Sequence, residues 1–276
     1  MPLVTMPREM GTLGKDIAAA VAQQLGKPLV HHEIIDNLAN KMRLRKSHVM
    51  RFLEGKASLW DKMTTDETSL SIYTADEILR LAGKGEVGVI RGWGATHLLD
   101  TVSHVVRVRV CAPDNTRTDR MMQRLNSSDR AAVEKEIRLS DEAHTAITRR
   151  HFDINWKDAE HYDLVLNTSR MSVDECIGAV MNALKQATFQ ESRESAKILH
   201  DLALQAHVRA ALRNDERTQK LNITIQAAAG HITLSGVIEK SDEIKHATEI
   251  AASVPGVTGV TNALKGAERG FRRIGG

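Results

Sequence analysis

Leu3–Ala20 reads LVTMPREMGTLGKDIAAA. Leu3 to Met6 is a short apolar strand candidate. Ile17, Val21 and Leu25 follow at i, i+4 and i+8, so Lys15 to Leu25 is expected as a helix, stopped by Gly26 and Pro28. Between them lies a turn with glycines at 11 and 14. A turn feeding directly into a helix N-terminus aims backbone N–H groups outward at the positive end of the helix dipole, which favours an anion, commonly phosphate. The general phosphate-loop pattern G-x-x-x-x-G-K-[ST] fits only in part. Gly14-Lys15 matches its end, but Glu9 stands at the first glycine and Asp16 at the metal-binding hydroxyl. The residues alone also fit a plain turn glycine followed by a solvated lysine.

Outward from this stretch, strands and helices alternate. Leu29–His31, Glu86–Arg91, Val105–Cys111 and Tyr162–Asn167 are the further strand candidates. Helical spacing appears through Ile34, Leu38 and Met42, near Ile78–Leu81, after the N-cap candidate Asp114, and through Ile177, Val180 and Leu184. Residues 43–69 read as polar and irregular. Residues 129–150 are charge-rich and fit either a lid over substrate or a solvent-facing helical hairpin. This alternation predicts an α/β fold with a parallel sheet flanked by helices, and ligands at the C-terminal strand ends. That directs attention to the residues after Met6, Ile90, Cys111 and Asn167.

The pattern changes near residue 188, so residues 1–188 are expected as one domain and 189–197 as a linker, with Gln186–Lys197 also readable as the exposed start of a helix. In 198–266, a helix is followed by two strands around Gly230, a helix ending at Pro255-Gly256, and a last strand. Residues 267–276 read as a tail whose basic residues are mostly solvated. A net charge of +3 on 276 residues and 3% aromatics give no footprint for nucleic acid. No run approaches a membrane span and no secretory signal opens the chain, so a cytoplasmic location is expected. Cys111 and Cys176 have no metal-ligand spacing and are expected as reduced thiols. His31-His32 has no acid or cysteine cluster beside it and is not read as a metal site.

The first unit resembles the cytidylate kinase-like family, a branch of the phosphate-loop nucleoside monophosphate kinases. The resemblance rests on Pro7 through Ile17 against S-R-E-[YF]-G-S-G-G-[RK]-E-I, on Pro28–Glu33, and on Arg91-Gly92. It continues through Ala112-Pro113 with Arg117 and Arg120, and through Phe152, Asn155, Trp156, Asp158 and Tyr162 to Thr168. It implies a phosphate-loop NTPase-like fold, ATP and Mg²⁺, and transfer to an acceptor such as CMP or dCMP. By resemblance, Gly11, Thr12, Leu13, Gly14, Lys15 and Asp16 would cradle donor phosphates, with Arg8 nearby and Thr12 as the hydroxyl closest to Mg²⁺. Lys15 and Arg91 would be catalytic, Arg91 by clamping the acceptor phosphate. Arg117 and Arg120 would lie near the base or lid, and Arg149 and Arg150 would contribute from the charged segment. Surface ion pairs fit Arg117 and Arg120 equally well, and a solvated helix end is the plainer reading of Arg149 and Arg150.

Four departures point the other way, toward a catalytically weak nucleotide sensor. Leu13 replaces a loop glycine, His31 an aspartate and Ile90 a glycine. His144 replaces the arginine of D-x-x-R, here Asp141, Glu142, Ala143 and His144. The second unit resembles a BON domain through Gly230–Val237 and Val254–Asn262. That implies a small αββαβ module that binds a protein or phospholipid partner and carries no catalytic set.

Overall fold

In a computed structural model of the chain, residues 2–30, 32–53, 66–92 and 94–266 are described. The chain divides into two compact units, Met1–Leu199 and His200–Gly276.

Unit 1 runs β1 (Leu3–Met6), α1 (Gly14–Gln24), β2 (Leu29–Val30), α2 (His32–Met42), α3 (Lys46–Leu53) and α4 (Glu67–Gly83). It continues with β3 (Val89–Arg91), α5 (Ala95–Leu98), β4 (Val105–Cys111), α6 (Asp114–Leu125) and α7 (Arg130–Phe152). β5 (Leu164–Asn167) and α8 (Val173–Leu184) complete the α/β layer. The sheet order is β2-β3-β1-β4-β5, and every pairing is parallel. All four residues of β1 are buried, as the central strand of a sheet covered on both faces requires. Its side chains pack with Ile17, Ala18 and Val21 of α1 and with Cys176, Ile177 and Val180 of α8. β4 carries the alternation of VVRVRVC: Val106, Val108 and Val110 are buried, while Arg107 and Arg109 face the other way. Arg107 is neutralised there by Asp163, at 2.9 Å from Nη2 to Oδ1.

One stretch differs from expectation. Residues 43–69 are not uniformly irregular. α3 forms around the fully buried Val49, and α4 starts at Glu67 because the Asp66 carboxylate accepts from the N–H groups of Thr68 and Ser69. The stretch open between a linker and a helix start contains a helix start. The Ser192 hydroxyl accepts from the Ser195 N–H, and the Ser195 hydroxyl accepts from the Ser192 N–H. This reciprocal cap opens α9 (Arg193–Asn214). The charged 129–150 stretch is one continuous helix, α7. It packs on α6 through Met121, Val133 and Ile137, which is the hairpin form of the two readings.

Unit 2 adds β6 (Thr224–Ala228), β7 (His231–Ile238), α10 (Ser241–Ser253) and β8 (Gly259–Gly266) to the end of α9. β6 and β7 are antiparallel, and β8 joins β7 in parallel. Ala229 and Gly230 both have positive φ, 51° and 83°, as a two-residue hairpin turn of the favoured twist demands. Its core is Val208, Ile225, Ile232, Leu234, Ala247 and Ala251. No described helix is long and apolar enough to cross a membrane. Residues 267–276, the expected tail, and His31 lie outside the described residues.

Candidate functional site

The parallel register brings Met6, the last residue of β1, opposite Arg91, the last residue of β3. The Gly92 N–H donates to the Met6 carbonyl at 2.8 Å. The chain beyond Met6 therefore enters its turn beside Arg91, at the edge where α/β sheets take ligands. Gly11 and Leu13 both adopt left-handed backbone, at φ 77° and 61°. A Cβ on Gly11 would stand 2.6 Å from the Arg117 carbonyl oxygen, so α6 lies against the turn as closely as glycine permits.

Lys15 and Asp16 are exposed in the first turn of α1, and neither side chain makes a hydrogen bond or ion pair among the described residues. Arg91 is 8% exposed, and its pKa is lowered to about 10 by burial, then by the charges of Arg8 and Arg124; Asp16 offsets part of this. It remains a cation at neutral pH. Guanidinium groups that weaken one another's charged form are stabilised together by an anion.

Thr12 corrects an expectation. Its hydroxyl donates to the Glu9 carbonyl at 2.8 Å, lies on the Gly14 N–H side of the turn, and is 1% exposed. An inward hydroxyl already bonded to backbone does not fit Mg²⁺. Asp16 is the exposed oxygen donor of the same turn, and Mg²⁺ is ordinarily held by a carboxylate together with substrate phosphates.

Arg117 reaches the charged 129–150 segment, while Arg120 turns to the end of β5. Arg117 is 1% exposed and grips Asp141 through two nitrogens, both at 2.8 Å. Its Nε donates to the Met10 carbonyl at 2.7 Å. Arg120 Nη1 donates to the Thr168 hydroxyl and Nη2 to the Thr168 carbonyl, both at 2.8 Å; Nη1 also reaches the Gly11 carbonyl at 3.4 Å. Both arginines thus hold the turn from the α6 side. Asp141 is the cause for Arg117, because a fully desolvated guanidinium requires a carboxylate beside it. Burial pushes the Asp141 carboxyl up, but Arg117 and Lys157 outweigh it and hold it below the usual range. Glu9, at the position where the general pattern has glycine, is 5% exposed and accepts from Arg109 Nε at 3.2 Å. Burial raises its pKa against the pull of Arg109 and Arg117.

Arg150 pairs with Glu67 at the start of α4, and Arg149 is exposed beside it. They lie about 12 Å beyond Asp141 along α7 at helical rise, away from the Arg117 grip. His144 stacks on Trp156, ring centroids 4.2 Å apart and planes 13° apart. Burial lowers its pKa to about 4, so the imidazole is neutral at pH 7. Sequence reasoning missed Glu9, Arg109, Asp141 and Arg124 as members of this constellation. Arg124 carried a signal: 117, 120 and 124 share one helix face.

Residues 3–170 match the cytidylate kinase-like family. The chain belongs to the cytidylate kinase-like family. Residues 200–268 match the BON domain, in agreement with the αββαβ order of unit 2. An uncharacterized protein from Eubacterium ventriosum is 18% identical, with 67% of this chain and 99% of that chain covered and a TM-score of 0.54, which establishes the shared fold. Shikimate kinase from Acinetobacter baumannii in complex with shikimate is 11% identical, with 67% and 93% covered and a TM-score of 0.40. Deoxyadenosine kinase from M. mycoides with bound dCMP and dCDP is 11% identical, with 67% and 98% covered and a TM-score of 0.37. No curated protein matches the chain. As a member of that family the first unit has a kinase-like fold, with its glycine turn, Lys15 and Arg91 at one end of the sheet.

Proposed function

We propose that the chain is a phosphotransferase of nucleoside monophosphate kinase type. It moves the γ-phosphoryl group of ATP to a CMP- or dCMP-type acceptor, while the BON unit binds a protein or phospholipid partner. The observation that carries this reading is the buried Arg91, with Arg8 and Arg124 charged around it, one strand from a glycine turn that ends in an exposed lysine. Two adjacent anion seats are what a reaction between two phosphates needs, because phosphoryl transfer depends on in-line positioning and charge stabilisation. An acceptor phosphate oxygen attacks the γ-phosphorus, the bond to the β–γ bridging oxygen breaks, and ADP leaves. Mg²⁺, when bound, would be held by the Asp16 carboxylate together with the donor phosphates and would supply charge neutralisation. Lys15 disperses charge on the donor side, Arg91 orients the acceptor phosphate, and the turn's N–H groups hold the donor chain. Its setting is the cytoplasm, consistent with free Cys111 and Cys176.

A second reading rests on His144. Where the family resemblance expects a guanidinium, a neutral imidazole lies flat on Trp156, and Arg117 is committed to Asp141. A chain with those two cations removed from the reacting groups senses nucleotide without turning it over. A coupled assay of ADP release over a panel of monophosphates separates the two. Under the enzyme reading one acceptor accelerates ADP formation, and Arg91→Ala raises its KM at least tenfold, the weight of one charge-assisted contact of about 1.5–3 kcal/mol. ATP binding with no acceptor-dependent turnover establishes the sensor.

A further inference from the structure

We propose that Arg120 and Thr168 are positioning residues for a polyphosphate seated on the glycine turn, acting through the turn's carbonyl oxygens and never touching the ligand. This rests on the reading that the turn takes a polyphosphate. Three consecutive carbonyls are held on the α6 flank. Met10 accepts from Arg117 Nε at 2.7 Å, Gly11 from Arg120 Nη1 at 3.4 Å, and Thr12 from the Thr168 hydroxyl at 3.0 Å. The donors are tied to one another, since Arg117 and Arg120 sit one turn apart on α6 and Arg120 grips Thr168 twice.

In a planar trans peptide the carbonyl and the following N–H point in opposite directions, and the chain has no cis peptide among its described residues. Holding these carbonyls toward α6 turns the N–H groups of Gly11, Thr12 and Leu13 to the opposite side. Left-handed backbone at Gly11 and Leu13, on either side of Thr12, folds those amides into a concave anion nest. Thr168 is 5% exposed, and its hydroxyl works as a relay, accepting from Arg120 while donating to Thr12. The latch joins α6 to the end of β5 and fixes which way three amides face.

Thr168→Val removes the relay with no change in charge or size, so a loss of anion affinity reports turn geometry alone. Titration calorimetry on the full chain, well below its melting temperature, would use MgATP and inorganic tripolyphosphate. The expected result is about tenfold weaker binding of both ligands by Thr168→Val, with recovery in Thr168→Ser. The double variant Arg120→Ala/Thr168→Val should bind no more weakly than Arg120→Ala alone, because both changes open one latch. A folded Thr168→Val that binds like the wild type, or losses that add in full, overturns the proposal. If Thr168→Val does not fold, Arg120→Lys carries the test. It keeps the charge and loses the two-pronged grip, so a tenfold loss supports the latch and unchanged affinity overturns it. A wild-type chain that binds neither ligand overturns the polyphosphate seat and the latch together. Wild-type binding with an unaffected latch variant removes only the latch.

Discussion

At the residue scale, the strongest statements concern charges taken out of water. Arg117 is nearly inaccessible, and its compensation is the two-point contact with Asp141. Asp141→Asn leaves that guanidinium buried without the carboxylate that grips it, and loss of one member of a buried pair costs about 3 kcal/mol or more. Denaturant unfolding monitored on Trp156, which lies against the same helix, should show a midpoint shift of that size. A shift below about 1 kcal/mol would mean that Glu9 and Asp114 replace Asp141. The histidines act in a different pH window. His144 titrates near 4 in the fold against 6.5 for the free side chain, chiefly through burial. Its folded pKa is depressed, so the fold binds its proton less readily than the unfolded chain does. The stabilisation is complete above pH 6.5 and is lost as pH falls toward 4, by roughly 2 kcal/mol after allowing for partial exposure. His97, also lowered to about 4 by burial, has the same sign. His144→Gln should therefore flatten the fall of melting temperature between pH 6.5 and 4 and leave in place the fall at lower pH, where Asp141, held below the usual carboxylate range by Arg117 and Lys157, takes up its proton.

At the scale of elements, the glycine turn and α6 form one packed unit, and Gly11 shows why. Any side chain there meets the Arg117 backbone at 2.6 Å, and backbone does not yield as a flexible side chain does. Gly11→Ala must push α6 away from the turn and strain a left-handed position. It should cost about 1–3 kcal/mol of stability and abolish measurable ATP binding, read by calorimetry beside thermal melts. ATP binding that survives the substitution would show that the turn tolerates a different path. The strand–turn–helix of residues 3–25 was legible because apolar periodicity switches from a short run to i, i+4, i+8 across two glycines. The parallel sheet was legible from alternation alone. The orientation of Arg117 and Arg120 was not legible. It depends on Asp141 arriving from a helix more than 20 residues later, and on Thr168 from another strand. α3 was missed because, among its described side chains, only Val49 is buried. The start of α4 did carry a readable cap in Asp66.

At the scale of the whole molecule, two hydrophobic cores share no member: one lies around β1, α1 and α8, the other around β7, α9 and α10. A core that is closed on itself unfolds as its own cooperative unit. Scanning calorimetry of the full chain should therefore show two transitions, the larger from the cytidylate kinase-like unit, because unfolding enthalpy scales with residue number. A ligand that binds one folded unit raises only that unit's transition. At a hundredfold excess over its dissociation constant the gain is about 2.7 kcal/mol, which at this size corresponds to a rise of several degrees. MgATP should lift the larger transition by that amount and leave the BON transition where it was, whereas anionic vesicles, if phospholipid is its partner, should move only the smaller one. A single transition that MgATP shifts as a whole would show that the two cores unfold together, and nucleotide occupancy of the first unit would then set the stability of the second.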